Sequence, residues 1–124
     1  MAEHIQKGKY GEELAKKYLE KQGYTILETN WRYKNLEIDL IALDGNALCV
    51  IEVKTRSTDV FGEPEVFVTS SKQQKLIKAI NMYIRKTTCE KEIRFDIVSI
   101  IENKELCKIN LIKDAFYPKY RARK

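Results

Sequence analysis

Apolar residues recur at helical spacing in two stretches of the chain, and they predict two helices. The first covers about residues 10–22, where Gly23 supplies a C-terminal stop. The second covers about residues 71–85, with Ser70 or Ser71 as the expected N-cap. The apolar stripe of this second helix consists of Leu76, Ala79, Ile80 and Tyr83. Each helix is therefore expected to turn one apolar face towards a core.

Shorter apolar runs predict five strands, three of them between the helices. The predicted strands cover residues 24–33, 38–43, 47–53, 94–101 and 106–112. The turn signal Asp44-Gly45-Asn46 separates the second strand from the third. The element order is thus αβββαββ. Because three strands run between the helices, this order favours an α/β sandwich with a mixed sheet over a βαβ repeat.

Length and composition limit the chain to about one domain. It has 124 residues, of which 44% are hydrophobic and 33% charged, and we expect a single domain over residues 1–116. No apolar run approaches the roughly 18–20 residues of a membrane span, and residues 1–9 are polar. The three cysteines form no CxxC pair, so neither a disulfide framework nor a structural zinc site is indicated. These features predict a cytoplasmic protein that does not engage membranes.

The net charge of +5 is concentrated at the C-terminal end of the chain. Residues 113–124 carry +4 of it, which leaves about +1 for all other residues. The tail, residues 117–124, could contact phosphates through its basic side chains, or it could serve as a solvated, solubilising terminus. A basic binding surface elsewhere must therefore arise from local clustering of charge.

The stretch VIEVKTR, residues 50–56, places Glu52 and Lys54 inside an otherwise apolar strand. If Gly45-Asn46 closes the preceding hairpin, residues whose numbers sum to 91 lie opposite one another, and Asp39 faces Glu52. Two carboxylates about 5 Å apart repel by roughly 3 kcal/mol at an effective dielectric near 20. They therefore need a proton, a cation or a bound metal between them.

This charged sheet face has two interpretations. In the first, Lys54 neutralises its acidic neighbours, including Glu37, in an ion-pair patch on a solvated face. In the second, the charges form a site. The flanking stretches 40–43 and 48–51 favour a site, because surface strands are seldom apolar on both faces. Oxygen ligands without histidine or thiolate point to Mg²⁺ or Mn²⁺.

The first helix offers two further carboxylates. At about 100° per residue, Glu12 lies near Leu19 and roughly 90° from the centre of the apolar stripe, whereas Glu13 lies nearly opposite that centre. Glu12 is therefore predicted at the buried rim, and Glu13 on the solvent side, where Lys17 follows it at i+4.

Four other residues are candidates for nucleic-acid contacts. Lys72 and Gln73 lie at the positive N-terminal end of the second helix, where they could hold a phosphate or could extend from the apolar stripe into solvent. Trp31 and Arg32, ahead of the acidic strand, could line a DNA groove or pack beneath it.

Several motifs together carry a family resemblance. The segments GKYGEELAKKYLEKQGY, NWRYKNLEIDLIA, IEVKTR, FGEP and SKQQKLIKAINMYI occur in this order. The chain thereby resembles the YraN family over residues 8–116, a branch of the PD-(D/E)XK nucleases similar to archaeal Holliday-junction resolvases. The sequence departs from the family at Leu36, where glycine is frequent, and the tail has no recognisable family pattern.

The resemblance implies a restriction-endonuclease-like fold and a metal-dependent endonuclease that acts on DNA, including branched or structured DNA. It assigns the metal-binding acids to Glu12, Asp39 and Glu52, with Mg²⁺ or Mn²⁺ as cofactor, and the catalytic lysine to Lys54. Arg56, at the end of the motif, joins the candidate nucleic-acid contacts. The alternative is a catalytically silent module that binds nucleic acid or a protein. A homodimer stays open, because nucleases that cut both strands often pair through twofold symmetry.

Overall fold

The computed structural model describes residues 2–57 and 68–116, with the backbone alone for residues 2–9. The elements are α1 (Ala2–Lys21), β1 (Thr25–Tyr33), β2 (Leu36–Asp44), β3 (Ala47–Arg56), α2 (Ser70–Thr87), β4 (Glu92–Glu102) and β5 (Cys107–Ile112). The predicted order αβββαββ is confirmed. The FGEP motif and the tail of residues 117–124 lie outside the described residues.

The five strands form one mixed sheet in the order β1-β2-β3-β4-β5. Strands β1 to β3 and the pair β4–β5 run antiparallel, whereas β3 and β4 are parallel. A parallel pair requires a crossover, and α2 lies within it. The result is the predicted α/β sandwich of restriction-endonuclease-like type, with β3 at the centre of the sheet.

The β2–β3 hairpin has the register that its turn sequence predicts. Gly45 takes the positive φ of 61° that the first position of a type II′ turn requires. The ladder runs from Asp44–Ala47 to Leu40–Ile51, and each pair sums to 91. Local turn chemistry thus sets which residues oppose one another at the far end of the hairpin.

Apolar side chains on the two sheet faces form two clusters, one under each helix. Under α1, Ala15 and Leu19 belong to a fully buried cluster that includes Ile51. Under α2, Leu76 and Ile80 pack in the other cluster. Strands β2 and β3 contribute to both, which explains why their sequences are apolar on both faces. The chain therefore buries the central strands between helices, as the sequence indicates.

Both helices differ from their predictions at the N-terminal end. Helix α1 begins at Ala2, well before residue 10, because residues 2–9 are mostly good helix formers without an apolar stripe to reveal them. The predicted N-cap of α2, Ser70 or Ser71, is wrong: Thr69 caps this helix and accepts from the Lys72 amide at 3.2 Å. Three consecutive residues could each have served as caps, and backbone conformation selects Thr69. Neither α1 nor α2 is long and apolar enough to cross a bilayer.

A charged network ties the hairpin turn to β4 and to the chain after β5. Asp96 is 1% exposed and accepts Arg94 Nε and Nη2 and the Tyr24 hydroxyl, each at 2.9 Å. It also accepts the Asp114 amide at 2.9 Å. Arg94 reaches Asp44 at 2.8 Å, and the pKa of Asp44 is lowered chiefly by that bond. The network therefore fixes one end of the sheet, at the turn of the β2–β3 hairpin.

Candidate functional site

Asp39 and Glu52 lie at the end of the β2–β3 hairpin that is opposite its turn. They lie one residue beyond the last pair of the ladder, Leu40–Ile51, on each strand. Asp39 Oδ2 accepts the backbone amide of Val53 at 2.9 Å. Glu52 is buried, with 4% of its surface exposed. The hairpin thus holds two carboxylates near each other, one of them oriented by a backbone donor that the sequence did not reveal.

The electrostatic environment of Asp39 favours its protonated form. Burial raises the pKa of Asp39 to about 7, and the nearby Glu52 charge adds to the rise. The Val53 amide and Lys72 oppose the rise, whereas Glu12 adds to it. A carboxyl with a pKa this close to neutrality needs a proton or a cation for stability at physiological pH. This is the conflict that the sequence predicted for two facing acids.

Two lysines converge on one oxygen of Glu52. Lys54, two residues along β3, places Nζ 3.8 Å from Glu52 Oε2. Lys72, in the first turn of α2, forms an ion pair with the same oxygen. Burial lowers the pKa of Lys72, but the bond to Glu52 and the charges of Glu52 and Asp39 together outweigh burial and raise that pKa. The contact between Lys72 and Glu52 was not predicted, because it depends on how α2 is placed over the sheet.

The acidic pair opens into a cavity of about 380 Å³ between the β1–β2 turn and the start of α2. Its lining residues are Asn35, Leu36, Glu37, Asp39, Glu52, Thr69, Ser71, Lys72, Lys75 and Leu76. The cavity therefore has an acidic floor and lysines on its α2 wall. A phosphate group could approach the acids past those lysines.

Glu12 lies at the rim of this arrangement. Its Oε1 accepts Asn30 Nδ2 at 2.9 Å, and its charge reaches Asp39, as the pKa of Asp39 shows. Asn30 has a positive φ of 51°, a conformation that asparagine tolerates better than most residues. As helical angles predict, Glu12 is half-buried and Glu13 exposed.

Gly11, next to Glu12, allows α1 to approach β3 closely. A Cβ atom at this position would overlap Oγ1 of Thr55, which follows Lys54. Gly11→Ala is therefore expected to lower the free energy of unfolding by about 1 kcal/mol, because overpacking exceeds the gain in helix propensity. In a Thr55→Ala background, which lacks that Oγ1 atom, Gly11→Ala should raise the free energy of unfolding by about 1 kcal/mol.

Urea unfolding of the four chains in this double-mutant cycle measures both effects. Equal effects of Gly11→Ala in the two backgrounds would show that α1 and β3 are not in contact there.

Comparison with known proteins identifies the family. Residues 11–100 match the model of Uncharacterised protein family UPF0102. The chain belongs to this family. It is 53% identical to the UPF0102 protein of Flavobacterium johnsoniae over 121 residues, with 94% of this chain and 98% of the relative covered. The UPF0102 protein of Christiangramia forsetii is 51% identical over 117 residues, with the same coverage of both chains. The resemblance to the YraN family, which is UPF0102, is thereby confirmed.

The other four candidate residues of this UPF0102 chain are not among those that line the cavity. Trp31 is half-buried and packs edge-on against Tyr83 at 5.5 Å between ring centroids, which matches the packing interpretation. Arg32 is exposed and lies 3.5 Å from Glu37. The side chain of Gln73 donates a hydrogen bond to the Val68 carbonyl at 3.0 Å, so it also stabilises the backbone just before α2.

Arg56 ends β3 opposite Ile101 of β4 and is half-buried. A nucleic-acid contact through Arg56 or through any of the other three residues stays a prediction.

The donor set of the UPF0102 site fits a magnesium ion held by two carboxylates. Mg²⁺ usually binds one or two carboxylates and completes its shell with waters and substrate phosphates. Across residues 10–57 and 68–116, no three His, Cys, Asp or Glu side chains lie close enough together to hold a metal. Asp39 and Glu52 form the pair, and a metal role for Glu12 stays a prediction. Because burial and the Glu52 charge oppose ionisation of Asp39, a divalent cation held by both acids would stabilise the charged form of Asp39.

Proposed function

We propose that this UPF0102 protein is a divalent-metal-dependent endonuclease that hydrolyses phosphodiester bonds in DNA, with branched or structured DNA as its preferred substrate. The observation that carries the proposal is the pair formed by Asp39 and Glu52, which are close enough for Glu52 to raise the pKa of Asp39. Lys54 lies 3.8 Å from Glu52 on the same strand. The acids open into a cavity that a phosphate could enter.

Each side chain has a defined task in this proposal. Asp39 and Glu52 hold Mg²⁺ or Mn²⁺, and the amide of Val53 keeps Oδ2 of Asp39 in place, so that its other oxygen is available as a ligand. The metal, when bound, supplies charge neutralisation at the scissile phosphate and acidifies a water molecule. Lys54 donates a hydrogen bond to the phosphate as negative charge develops on it. Glu12, from the rim, orients the attacking water.

A lysine is well suited to the position beside the acids. Its ammonium is a compact charge on a flexible stem, which can contact Glu52 before substrate arrives and a phosphate oxygen afterwards. The side chain of Lys54 is 30% exposed, so a phosphate can reach its ammonium although the group is not fully solvated. Its role is therefore electrostatic, and loss of the ammonium should lower the rate more than it changes DNA affinity.

A panel of linear, nicked, flap and four-way DNAs, each with Mg²⁺, Mn²⁺ or EDTA, tests the proposal. We expect cleavage of at least one DNA with metal and none with EDTA. Glu52→Gln and Lys54→Met should lower the rate on the order of 10²- to 10³-fold, because each removes a charged group from the transition state. Initial rates on end-labelled DNA measure the loss.

Lys91→Met is the matched control for loss of a positive charge, because Lys91 is an exposed residue just before β4 and is not among the cavity-lining residues. Its rate should equal that of the wild type. Cleavage that survives in Glu52→Gln, or that proceeds in EDTA, would contradict the proposal.

A second candidate function is a nuclease-fold module that binds nucleic acid without cutting it. An aromatic surface formed by Trp31 and Tyr33 favours this candidate. The two rings are stacked, and the ammonium groups of Lys34 and Lys86 lie 5.5 and 5.1 Å from the centre of the Tyr33 ring. Aromatic rings with adjacent ammonium groups suit exposed bases and phosphates. This candidate requires DNA binding that is equal with metal and with EDTA, and no cleavage of any DNA in the panel.

A further inference from the structure

Of the two lysine ammonium groups that contact Glu52, that of Lys72 is the closer. Lys72 forms an ion pair with Oε2 of Glu52, the oxygen that also lies 3.8 Å from Lys54. Only 5% of the Glu52 side chain is exposed, whereas 41% of the Lys72 side chain is. The buried partner is thus held in place by the fold, and the more exposed partner can leave.

This contact conflicts with the binding of a divalent metal by the same acids. A metal shared by Asp39 and Glu52 would approach a carboxylate to which Lys72 is already paired. Two positive charges at such short range repel strongly, even when water partly screens them. Lys72 therefore competes with the metal, and the two ions exclude each other from Glu52.

The backbone of Lys72 is fixed while its ammonium is not. Its amide is bound by the Thr69 cap at 3.2 Å, within the first turn of α2. Four methylene groups separate that backbone from Nζ, and lysine heads readily change partners. The residue lines the cavity at the end of a helix whose dipole favours an anion. Once displaced from Glu52, the ammonium has a phosphate of the bound strand as its next partner.

We propose that Lys72 is an exchangeable cation: it pairs with Glu52 while the metal site is empty, and it moves to a DNA phosphate when a divalent ion binds. This inference rests on the proposed function, since it presupposes that Asp39 and Glu52 hold a metal. It makes metal binding and DNA binding cooperative, because each ligand favours the same position of Lys72. Lys72 is a positioning residue in this scheme.

Titration of the full chain with Mn²⁺ at pH 8.5 tests the inference, with calorimetry as the readout. Lys72→Met should bind Mn²⁺ about tenfold more tightly than the wild type, because the competing ammonium is gone. Lys72→Met should bind flap DNA more weakly than the wild type. Added Ca²⁺ should raise the DNA affinity of the wild type but not that of Lys72→Met. A merely structural role of Lys72 would instead weaken Mn²⁺ binding.

Lys75→Met is the matched control, because Lys75 lines the same cavity one turn along α2 and forms no ion pair with Glu52. It should change Mn²⁺ affinity less than twofold. Lys72→Arg keeps the charge and should keep Mn²⁺ affinity within about threefold of the wild type.

Two outcomes separate this inference from the function on which it rests. If the wild type binds Mn²⁺ but Lys72→Met binds it no more tightly than Lys75→Met does, the exchange is wrong and the proposed metal site survives. If neither the wild type nor Lys72→Met binds Mn²⁺, the proposed function is wrong, and the exchange with it.

Discussion

Asp39→Asn is expected to abolish metal-dependent cleavage and, in the absence of metal, to stabilise the folded chain above pH 7. The neutral amide cannot act as a charged metal ligand, so the cleavage rate should fall at least about a thousandfold. The amide oxygen can still accept the hydrogen bond from Val53, which preserves the hairpin end. One substitution should thus remove function and increase stability.

The raised pKa of Asp39 explains why Asp39→Asn should stabilise the folded chain above pH 7 rather than destabilise it. The pKa of Asp39 is about 7 in the folded chain, against an ordinary value of 3.8, because of burial and the Glu52 charge. Between about pH 3.8 and pH 7 the folded state therefore keeps the Asp39 proton, whereas the unfolded state has released it. The resulting stability is fully present below about pH 4 and is lost as the pH rises through 7. Across this pH range the free energy of unfolding falls by at most about 4 kcal/mol.

Urea unfolding in EDTA at pH 5 and pH 8.5 measures the effect. At pH 5 the wild type has already lost part of this stability, because Asp39 of the unfolded chain is mostly ionised there, so Asp39→Asn should be the more stable by less than about 2 kcal/mol. At pH 8.5 the variant should be more stable by about 2 kcal/mol or more. Glu37→Gln is the control, since Glu37 lines the same cavity but is exposed. An Asp39→Asn chain that loses stability with pH as steeply as the wild type would contradict the assignment.

Asp96→Ala should cause the largest loss of stability among these variants, about 3–5 kcal/mol. The carboxylate is buried and accepts hydrogen bonds from Arg94, the Tyr24 hydroxyl and the Asp114 amide. Its removal leaves a partly buried guanidinium without its main partner, and breaking such a pair from one side is strongly destabilising. The melting temperature should fall by roughly 10–20 °C.

Differential scanning calorimetry at pH 7 measures this loss, and Lys113→Met is the control. Lys113 contacts Asp44 of the same network at 3.2 Å, but half of its side chain is exposed. Exposed ion pairs contribute at most about 1 kcal/mol, so the control should melt within a few degrees of the wild type. If Asp96→Ala melts as high as Lys113→Met, the network does not hold the sheet together.

Features set by local sequence were predictable. The hairpin register follows from one turn and the period of two, and it places Asp39 and Glu52 one residue beyond the Leu40–Ile51 pair without knowledge of the rest of the fold. The rim position of Glu12 followed from helical angles. Both depend on residues close together in the chain, where backbone geometry leaves few choices.

Features that depend on packing between distant elements were not predictable. Arg94 and Asp96 are neighbours on one face of β4, but their contacts with Asp44 and Tyr24 need the parallel register of β4 on β3, and no local pattern specifies that register. The pairing of Lys72 with Glu52 needs the placement of α2 over the sheet. The sequence indicated Lys72 as a group that could bind an anion, but it did not reveal which anion is its partner in the folded chain.

The parallel pairing of β3 with β4 also has a consequence for the order of folding. It joins Ala47 to Glu92, about 45 positions later, whereas β2 and β3 meet across a two-residue turn. Short hairpins form within about 1–10 μs, and long-range pairing is slower because a large loop must close first. The two acids therefore come together before α2 delivers Lys72 as their counter-ion. Because burial, the main cause of the raised Asp39 pKa, is completed only when the helices pack, deprotonation of Asp39 should act mainly on the rate of unfolding.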